Sequence, residues 1–594
     1  MSIQYKQMKY IRSILLLLLS LNFLCQNNLQ AQQRDIPYVP KSWLPKVWVP
    51  EIPKECPFKR SDAFAAIAFL GKHVSYTDAD TWYPSWASDG NMYSGFADGE
   101  IGLESTHSSG GAKANTGNAK IEGDDPMHLK ITSLGLQYAS ALPYQGRYPC
   151  ANLVYNGIWY YGTYGIDFDP NPENKKYSWA ICGPLPGFRI SKDYGKTWIP
   201  CPYTLDNPLF PESGKNGNFV KMGTPHFVDF GQNLENSPDG YAYLVGHGGA
   251  DDDPHPRVAN NSWIAGDAVY MARVKPSPET INNLASYEFF AGNDANGNPV
   301  WSHNFSDIKP VMEWMHHMGC TNITYDKPLH KYLMCVTDGW PGIENMNSYI
   351  LESDNITGPY KLITYMKDFG TQGYFMTIPS KFMAPDGKTF WLSYSANFSQ
   401  DYFGDITKAN PPGSRYAWNL QLVQLVDKNQ AASYEQAFKQ GEPDLIKSKE
   451  NLALKANVVV SSALRSARPM TELHQYFGEG AIDGVVDPKA ENTLNEWVSD
   501  GETNTAFIRL NWNKSQKITK VWLFDRPDLK DQVTSGMLVF SDGATIKVDA
   551  LPNDARSAKE VVFPEKNITW LAFVITKVSA TTTNAGLSEI AVFK

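Results

Sequence analysis

The sequence predicts an all-β protein, with a five-bladed β-propeller followed by a C-terminal β-sandwich. Its 594 residues are enough for several domains. From residue 61 to 426, short aromatic and β-branched runs alternate with Gly, Asn, Asp and Pro turns, and long helical periodicity is absent. Residues 427–449 are polar and predict a linker, and a different strand pattern fills 450–594.

The N-terminus predicts an exported protein. Three basic residues precede the apolar run Ile14–Leu19, and Leu29-Gln30-Ala31 forms a cleavage site, so residues 1–31 are expected to be a signal peptide. A lipoprotein signal at Cys25 is disfavoured because Leu24 stands where a small residue is expected. We therefore expect a periplasmic or extracellular location. Residues 32–60 are Pro-rich and are expected to be an extended lead.

One local motif supports the propeller over residues 61–426. Ser191-Lys-Asp-Tyr-Gly-Lys-Thr-Trp198 fits the Asp-box pattern of β-propeller blades, as in sialidases. Asp193 and Gly195 are expected to shape a hairpin, and Trp198 to pack into a blade. A period of about 40–50 residues gives roughly five blades over this range. A pair of β-sandwiches is the structural alternative.

Composition argues against some functions and does not decide whether the cysteines form disulfides. The net charge of −9 gives no indication of a nucleic-acid partner, and no later segment predicts a membrane span. Six cysteines follow Cys25, none in a CxxC zinc pattern. Cys182 with Cys201, and Cys320 with Cys335, are candidates for disulfides in an exported protein. Buried free thiols are the alternative.

The segment Asp78–Glu100 contains the strongest candidates for catalytic residues. It interleaves carboxylates with aromatic rings, which suits a carbohydrate site because rings stack on sugar faces and acids transfer protons at a glycosidic bond. Asp80 precedes one predicted strand and Asp98 follows the next, so a hairpin would return both to one cleft. Asp89, which is followed by Gly90, is expected to be a turn residue.

This pair predicts general acid/base catalysis. Inversion requires the carboxyls to lie about 6.5–9.5 Å apart, and retention about 5–5.5 Å. We assign Asp80 as the base and Asp98 as the acid, and the reverse assignment stays open. Burial beside Trp82 or Trp86 is expected to raise the pKa of the acid, and the same two rings are candidates for stacking on the sugar.

Other polar residues are candidates for substrate contacts, since they begin or end predicted strands. They are His226, His247, Asn322 and Tyr374. The run from Asp251 to His255 could bind Ca²⁺ or form a solvated acidic loop. His316-His317 lacks an obvious third ligand for zinc.

The first-blade motif, from Ala79-Asp80-Thr-Trp82 to Phe96-Ala-Asp98-Gly99, resembles a secreted family of formerly unknown function that includes inverting endo-D-arabinanases. The resemblance covers about residues 60–426 and ends in the run Pro379–Tyr394. It implies that Asp80 and Asp98 are the catalytic pair. The insertion 104–125 follows the motif, and such a loop could remodel the cleft and alter the substrate.

The C-terminal region, residues 450–594, resembles the discoidin, or coagulation-factor type C, module, a galactose-binding-like jelly-roll sandwich. The resemblance rests on Asn451–Ser462, Ala481–Gly484, Ile518–Asp525 and Ala585–Ile590. It implies a structural Ca²⁺ near Asp483 and Glu589, which suit this ion as hard oxygen ligands. Whether the module binds sugar or only supports the fold stays open.

Together these observations predict an exported glycoside hydrolase that acts on a polysaccharide, endo-D-arabinanase-like, without a cofactor for catalysis. Two alternatives stay open. One is a polysaccharide lyase on the same propeller, which would depend on His226 or His247. The other is a non-catalytic glycan-binding protein, in which the acids only bond sugar hydroxyls.

Overall fold

A computed structural model describes residues 31–38, 45–169, 175, 177, 179–215, 219–250, 262–343, 346–370, 372–396, 410–440, 444–464, 476–486, 495–554 and 556–594. The chain divides into two compact units. The central unit is Pro45–Lys439, and the terminal unit combines residues 1–44 with 440–594. The predicted signal peptide and the 251–255 run lie outside the described residues. Among those described, no helix has the length and apolar character of a membrane span.

The prediction of an all-β protein is confirmed, since strands dominate both units and one α-helix, α1 (Ala431–Gln440), occurs in the described part of the chain. The first strand, β1 (Gln32–Pro37), belongs to the terminal unit. The central unit opens with β2 (Lys46–Val47) and β3 (Phe64–Tyr76).

Five successive groups of antiparallel strands then follow in the described part of the central unit. Their bounds are, for the first, β4 (Ser85–Trp86), β5 (Met92–Phe96), the hairpin β6 (Glu100–Ile101) and β7 (Glu104–Ser105), β8 (Asn115–Glu122) and β9 (Lys130–Tyr138); for the second, β10 (Gly146–Tyr155), β11 (Ile158–Asp167), β12 (Ile181–Cys182) and β13 (Phe188–Ser191); for the third, β14 (Gly223–Phe227), β15 (Ala242–Gly248), β16 (Gly266–Val274), β17 (Glu288–Asn293) and β18 (Pro299–Ser302); for the fourth, β19 (Met312–Asp326), β20 (Lys331–Asp338), β21 (Asn347–Ser353) and β22 (Lys361–Met366); for the fifth, β23 (Tyr374–Thr377), β24 (Thr389–Ser395) and β25 (Trp418–Asp427).

The fifth group is completed by a strand from the beginning of the unit. β3 pairs antiparallel with β25, from Trp418 opposite Tyr76 to Asp427 opposite Phe64. The sheet order is therefore β2-β3-β25-β24-β23. The third and fourth groups are also joined, because the first half of β19 pairs with β16.

A left-handed residue recurs near the start of each group, at or just before its first strand. These five non-glycine residues have positive φ and are buried: Thr81 (65°), Ala151 (38°), Thr224 (37°), Cys320 (42°) and Phe375 (54°). In the second to fifth groups the pairing register shifts at the same place, as in a β-bulge. Each group therefore repeats one backbone irregularity as well as a strand order.

The Asp-box hairpin forms as predicted. The Thr197 hydroxyl and amide both donate to the Asp193 carboxylate, at 2.6 and 2.8 Å. Gly195 has a φ of 91°, a left-handed conformation that favours glycine. Trp198 packs against Trp159, with ring centroids 5.2 Å apart.

Of the two alternatives for the cysteines, free thiols are found, because none of the six described cysteines forms a disulfide. Cys320 and Cys335 belong to different hydrophobic clusters although they lie on adjacent strands. Cys182 lies in the main core of the central unit, whereas Cys201 lies in the loop beside Gly187. Burial raises the pKa of the Cys182 thiol to about 12, so this sulfur stays protonated.

The terminal unit is built on one seven-stranded antiparallel sheet, with strand order β26-β28-β31-β29-β30, β1 on β31 and β33 on β28. A second sheet pairs β27 with β32. The bounds are β26 (Asn457–Val460), β27 (Trp497–Val498), β28 (Phe507–Phe524), β29 (Val533–Phe540), β30 (Thr545–Val548), β31 (Ser557–Val578), β32 (Gly586–Leu587) and β33 (Glu589–Phe593). The unit has its own buried apolar core, which includes Trp497, Phe540 and Phe573.

Candidate active site at the Asp80–Asp98 hairpin

A strand pairing brings Asp80 and Asp98 to the same end of the first group. Asp80 and Ala97 form an antiparallel bridge, with the two N···O distances at 2.9 and 3.0 Å. Asp98 follows Ala97 directly and has a left-handed φ of 41°. At Gly99 an added Cβ would lie 2.0 Å from the Asp78 carbonyl oxygen, so only glycine fits where the chain leaves the pair.

Asp80 is the buried member of the pair, with 3% of its surface exposed. The Thr81 hydroxyl donates to Oδ1 at 2.8 Å, and the Tyr374 hydroxyl donates to Oδ2 at 3.0 Å. Burial raises the pKa of Asp80 well above its ordinary value, and the charge of Asp98 raises it further. The hydroxyls oppose this shift without cancelling it.

Asp98 is partly exposed and accepts a hydrogen bond from Tyr148, whose hydroxyl lies 2.6 Å from Oδ2. Burial raises the pKa of Asp98 above its ordinary value, and Tyr148, the Ser108 amide and the nearby His107 oppose that shift only in part. The Tyr416 hydroxyl donates to the Asp98 carbonyl at 2.6 Å and also interacts with the Asp80 carboxyl. The two carboxyls therefore have unequal surroundings, and Asp80 is the more deeply buried.

The Tyr148 hydroxyl remains a donor throughout the working pH range. Burial raises the pKa of Tyr148 well above its ordinary value, and the charge of Asp98 and its hydrogen bond add to the shift. Because the phenol does not ionise, it can only donate to the carboxylate. Tyr148 therefore stabilises the charged form of Asp98.

Asp89, in the same hairpin, is a turn residue as expected. It accepts the Asn91 amide at 3.0 Å and the Tyr93 hydroxyl at 2.7 Å. The pKa of Asp89 is lowered: its burial would raise it, and hydrogen bonds from Asn91 and Tyr93 outweigh that effect. This carboxylate is therefore ionised and separate from the Asp80–Asp98 pair.

Trp82, predicted to be a sugar platform, is buried. Its indole is buried between the rings of Phe96 and Trp418, with centroids 5.6 and 5.5 Å away, so both faces are covered. Trp86 is partly exposed in β4, but it lines a small pocket with Leu153, Asp229 and other residues that include neither member of the acid pair.

The two histidines predicted to contact substrate, His226 and His247, are both buried. His226 stacks on Tyr83 with centroids 3.5 Å apart, and its ring nitrogens have no hydrogen-bond partner. Burial lowers the pKa of His226 well below its ordinary value, with a further contribution from His247. His247 lies 2.9 Å from the Thr224 hydroxyl and 3.2 Å from the Ser262 carbonyl.

Asn322 and Tyr374 connect strands instead of facing a cleft. The Asn322 carbonyl oxygen accepts a hydrogen bond from the Thr377 hydroxyl at 2.7 Å, which joins the fourth group to the fifth. Tyr374 is fully buried and holds Asp80. Tyr374 therefore positions Asp80, and its contact with substrate stays a prediction.

Sequence reasoning missed Tyr148, Tyr416, Phe168 and Trp179. Tyr148 lies 50 residues from Asp98, and Tyr416 lies 318 residues from it. Phe168 and Trp179 stack with centroids 3.9 Å apart, and Trp179 meets the edge of Tyr148 at 6.4 Å. No spacing in the sequence indicates these contacts; high aromatic content was the only signal.

The proposed Ca²⁺ position in the terminal unit fits a cation. Glu589 is fully buried, and its Oε1 has no hydrogen-bond partner, while Oε2 accepts the Gly484 amide at 3.2 Å. Burial raises the pKa of Glu589 well above its ordinary value, and the charge of Asp483 adds to this. Because no described group of three His, Cys, Asp or Glu side chains is arranged for a metal, amide or carbonyl oxygens would have to complete the shell.

Comparisons with known proteins describe parts of this chain. Residues 451–593 match the model of a domain of unknown function, DUF7402. No curated protein matches the sequence. A solved structure described as a glycoside hydrolase aligns over 87% of this chain and 97% of its own, at 12% identity and a TM-score of 0.29.

Two further solved structures align with about a quarter of the chain. Chitosan-binding module 1 from a chitosanase/glucanase of Paenibacillus sp. IK-5 covers 24% of this chain and 98% of its own, at 17% identity and a TM-score of 0.19. The lectin domain of lectinolysin, complexed with Lewis B antigen, covers 25% and 98%, at 20% identity and a TM-score of 0.20. Because these TM-scores are low, the likenesses assign no role to any residue of this chain.

Proposed function

We propose that this protein is an exported glycoside hydrolase that cleaves a polysaccharide at the Asp80–Asp98 pair. One observation carries the proposal. Two carboxyls at the end of one hairpin sit in unequal environments, and the charge of one raises the pKa of the other. Pairs of acids whose surroundings separate their pKa values are the arrangement that acid/base hydrolysis of a glycosidic bond requires.

The five strand groups are proposed to form the blades of a five-bladed propeller. The repeated left-handed residue at the start of each group supports this. Hydrogen bonds between groups also support it. Tyr374 of the fifth group donates to Asp80 of the first group, and Thr377 of the fifth group donates to Asn322 of the fourth group. Asp229 and Thr324 form a parallel bridge between the third and fourth. The propeller would place Asp80 near the axis, where blade ends converge.

The two environments favour Asp80 as the acid and Asp98 as the base, which reverses our first assignment. Burial and the Asp98 charge raise the pKa of Asp80 well above its ordinary value. The pKa of Asp98 is raised as well, but Tyr148 and the Ser108 amide oppose that shift, so Asp98 is the more readily ionised of the two. Asp98 would take a proton from water as the water oxygen attacks the anomeric carbon. The bond to the leaving oxygen then breaks, and that oxygen receives the Asp80 proton. We propose an inverting, endo-D-arabinanase-like reaction.

The test is digestion of a panel of polysaccharides, including D-arabinan, L-arabinan, arabinogalactan and laminarin, with sizing of the products. We expect Asp80→Asn and Asp98→Asn each to lower kcat by about 10²–10⁴-fold, the usual contribution of a general acid or base. Asp89→Asn is the matched control, since it alters a carboxylate of the same hairpin. Full activity in both Asp80→Asn and Asp98→Asn, or no cleavage of any glycan by the wild type, would overturn the assignment.

A second candidate is a non-catalytic glycan-binding protein. It is favoured by one observation: Asp80 is almost fully buried, and both of its carboxyl oxygens already accept hydrogen bonds. The same panel separates the two functions, because a binding protein would retain a glycan without releasing products. The lyase alternative gains no support, since His226 and His247 are both buried.

A further inference from the structure

An exposed pair of stacked rings lies beside the acid pair. Phe168 is 53% exposed, and its ring lies on Trp179 with an interplanar angle of 21°. Trp179 in turn contacts Tyr148, which donates to Asp98. Three successive contacts therefore lead from the partly exposed carboxyl to a flat apolar surface.

The backbone beside this surface is held by a short network of hydrogen bonds. The Phe168 amide donates to the Asp167 carboxylate at 2.9 Å, and Lys215 bonds the other oxygen of Asp167 at 2.7 Å. Lys215 also donates to the Pro143 carbonyl at 2.7 Å and lies over the Tyr144 ring. These contacts hold the backbone beside Phe168, and the phenyl ring itself is oriented by its stacking on Trp179, so less side-chain entropy is lost when a ligand binds.

Resting on the proposed function, we propose that Phe168 and Trp179 form a sugar-stacking subsite next to Asp98, which binds an uncharged glycan beyond the bond that is cleaved. Aromatic rings that present a flat face are suited to the apolar face of a sugar. The charges favour a neutral chain. Lys215 is already matched by Asp167 and Arg415 lies beside Asp78, so neither offers surplus positive charge next to the Asp80–Asp98 pair.

The first measurement is retardation of the full chain in native gels that contain D-arabinan, L-arabinan, arabinogalactan or laminarin, with polygalacturonate and alginate as anionic polymers. We expect stronger retardation by at least one neutral polymer than by either anionic one. Phe168→Ala and Trp179→Ala should weaken binding to that polymer about tenfold, and Phe168→Tyr should restore it. Tyr138→Ala is the matched control, because Tyr138 is an exposed ring of the same unit.

The second measurement is kcat/KM for the neutral polymers that the wild type cleaves, where the two alanine variants should again lose about tenfold. Loss of retardation in Phe168→Ala without hydrolysis by the wild type would uphold the subsite and overturn the hydrolase. Hydrolysis at wild-type rates in both alanine variants, or equal retardation in every variant, would overturn the subsite alone. Retardation by anionic polymers only would overturn it as well. Since Phe168 lies at the surface, its variant keeps the test valid if Trp179→Ala does not fold.

Discussion

The two carboxyls differ in their burial and in the hydroxyls that donate to them. Asp80 and Asp98 are the same residue type in the same hairpin, yet one is buried and the other receives a short hydrogen bond from Tyr148. Removing that donor should raise the pKa of Asp98, because the hydrogen bond stabilises only the ionised form.

The first prediction concerns Tyr148→Phe. A general base must be ionised, so activity rises as pH passes upward through the pKa of Asp98. We expect the acidic limb of the kcat profile to move to higher pH in Tyr148→Phe. Tyr93→Phe is the control, since its hydroxyl donates to Asp89 instead. An unchanged profile in Tyr148→Phe, or the same shift in both variants, would contradict Asp98 as the base.

At this scale the sequence predicts the acids better than their surroundings. The interleaving of acids with rings indicated Asp80 and Asp98, because their positions about one hairpin are local. It did not show that Trp82 is buried, since an aromatic residue that stacks on a sugar and one that fills a core are the same residue in a sequence. The contact between Tyr416 and Asp98 could not be predicted from the sequence, because 318 residues separate them.

Among the elements, the Asp-box hairpin was the most predictable, since the hydrogen bonds that shape its turn lie within the eight residues from Ser191 to Trp198. The left-handed residues at Thr81, Ala151, Thr224, Cys320 and Phe375 were not predictable. None is a glycine, and two are β-branched, so packing within each group overrides their intrinsic preference.

The second prediction compares two glycines of the central unit. Gly195 and Gly297 have similar φ values of 91° and 84°. A Cβ at Gly195 would lie 2.8 Å from the Trp159 ring, whereas nothing lies within 4 Å at Gly297. Gly297→Ala should lower the free energy of unfolding by about 1 kcal/mol from backbone strain. Gly195→Ala should lower it by about 2–4 kcal/mol, because overpacking adds to the strain.

Urea denaturation of both variants measures this difference. The two substitutions introduce the same methyl group into the same backbone region, so the excess destabilisation in Gly195→Ala reports the contact with Trp159. Equal denaturation midpoints would show that Trp159 does not pack on this hairpin as described.

For the whole molecule, the sequence predicted an all-β chain with a change of pattern near residue 450, because strand runs and polar linkers are local signals. It did not predict that β3 completes the fifth group, since that pairing joins residues more than 300 positions apart. Nor did it predict that β1 pairs with β31 in the terminal unit. Such pairings depend on long-range complementarity that a single sequence does not display.

The third prediction concerns Ca²⁺ and Glu589. Since burial raises the pKa of Glu589, the folded unit holds a proton that the unfolded chain releases, and its stability should fall as pH rises above the ordinary glutamate range. A bound cation would replace that proton. At pH 8, Ca²⁺ at about 100 times its Kd should therefore raise Tm by roughly 5 °C or more over EDTA.

Calorimetry of Glu589→Gln tests the location. This variant should lose both the response to Ca²⁺ and the decline of stability with pH. Glu565→Gln is the control, because Glu565 is an exposed side chain of the same unit, paired with Lys517. A full Ca²⁺ response in Glu589→Gln would place the ion elsewhere.

The pairing of β3 with β25 sets the order in which this protein can become functional. A ribosome releases β3 early, but its partner strand ends at Asp427, so the fifth sheet must wait for almost the whole central unit. Tyr374 and Tyr416, which hold the acid pair, arrive with that last group. A chain that ends before β25 would leave the edge of β3 unpaired. A chain that ends before Tyr374 would also leave Asp80 and Asp98 without the two tyrosine donors. Assembly of the candidate site therefore has to wait for the end of the central unit.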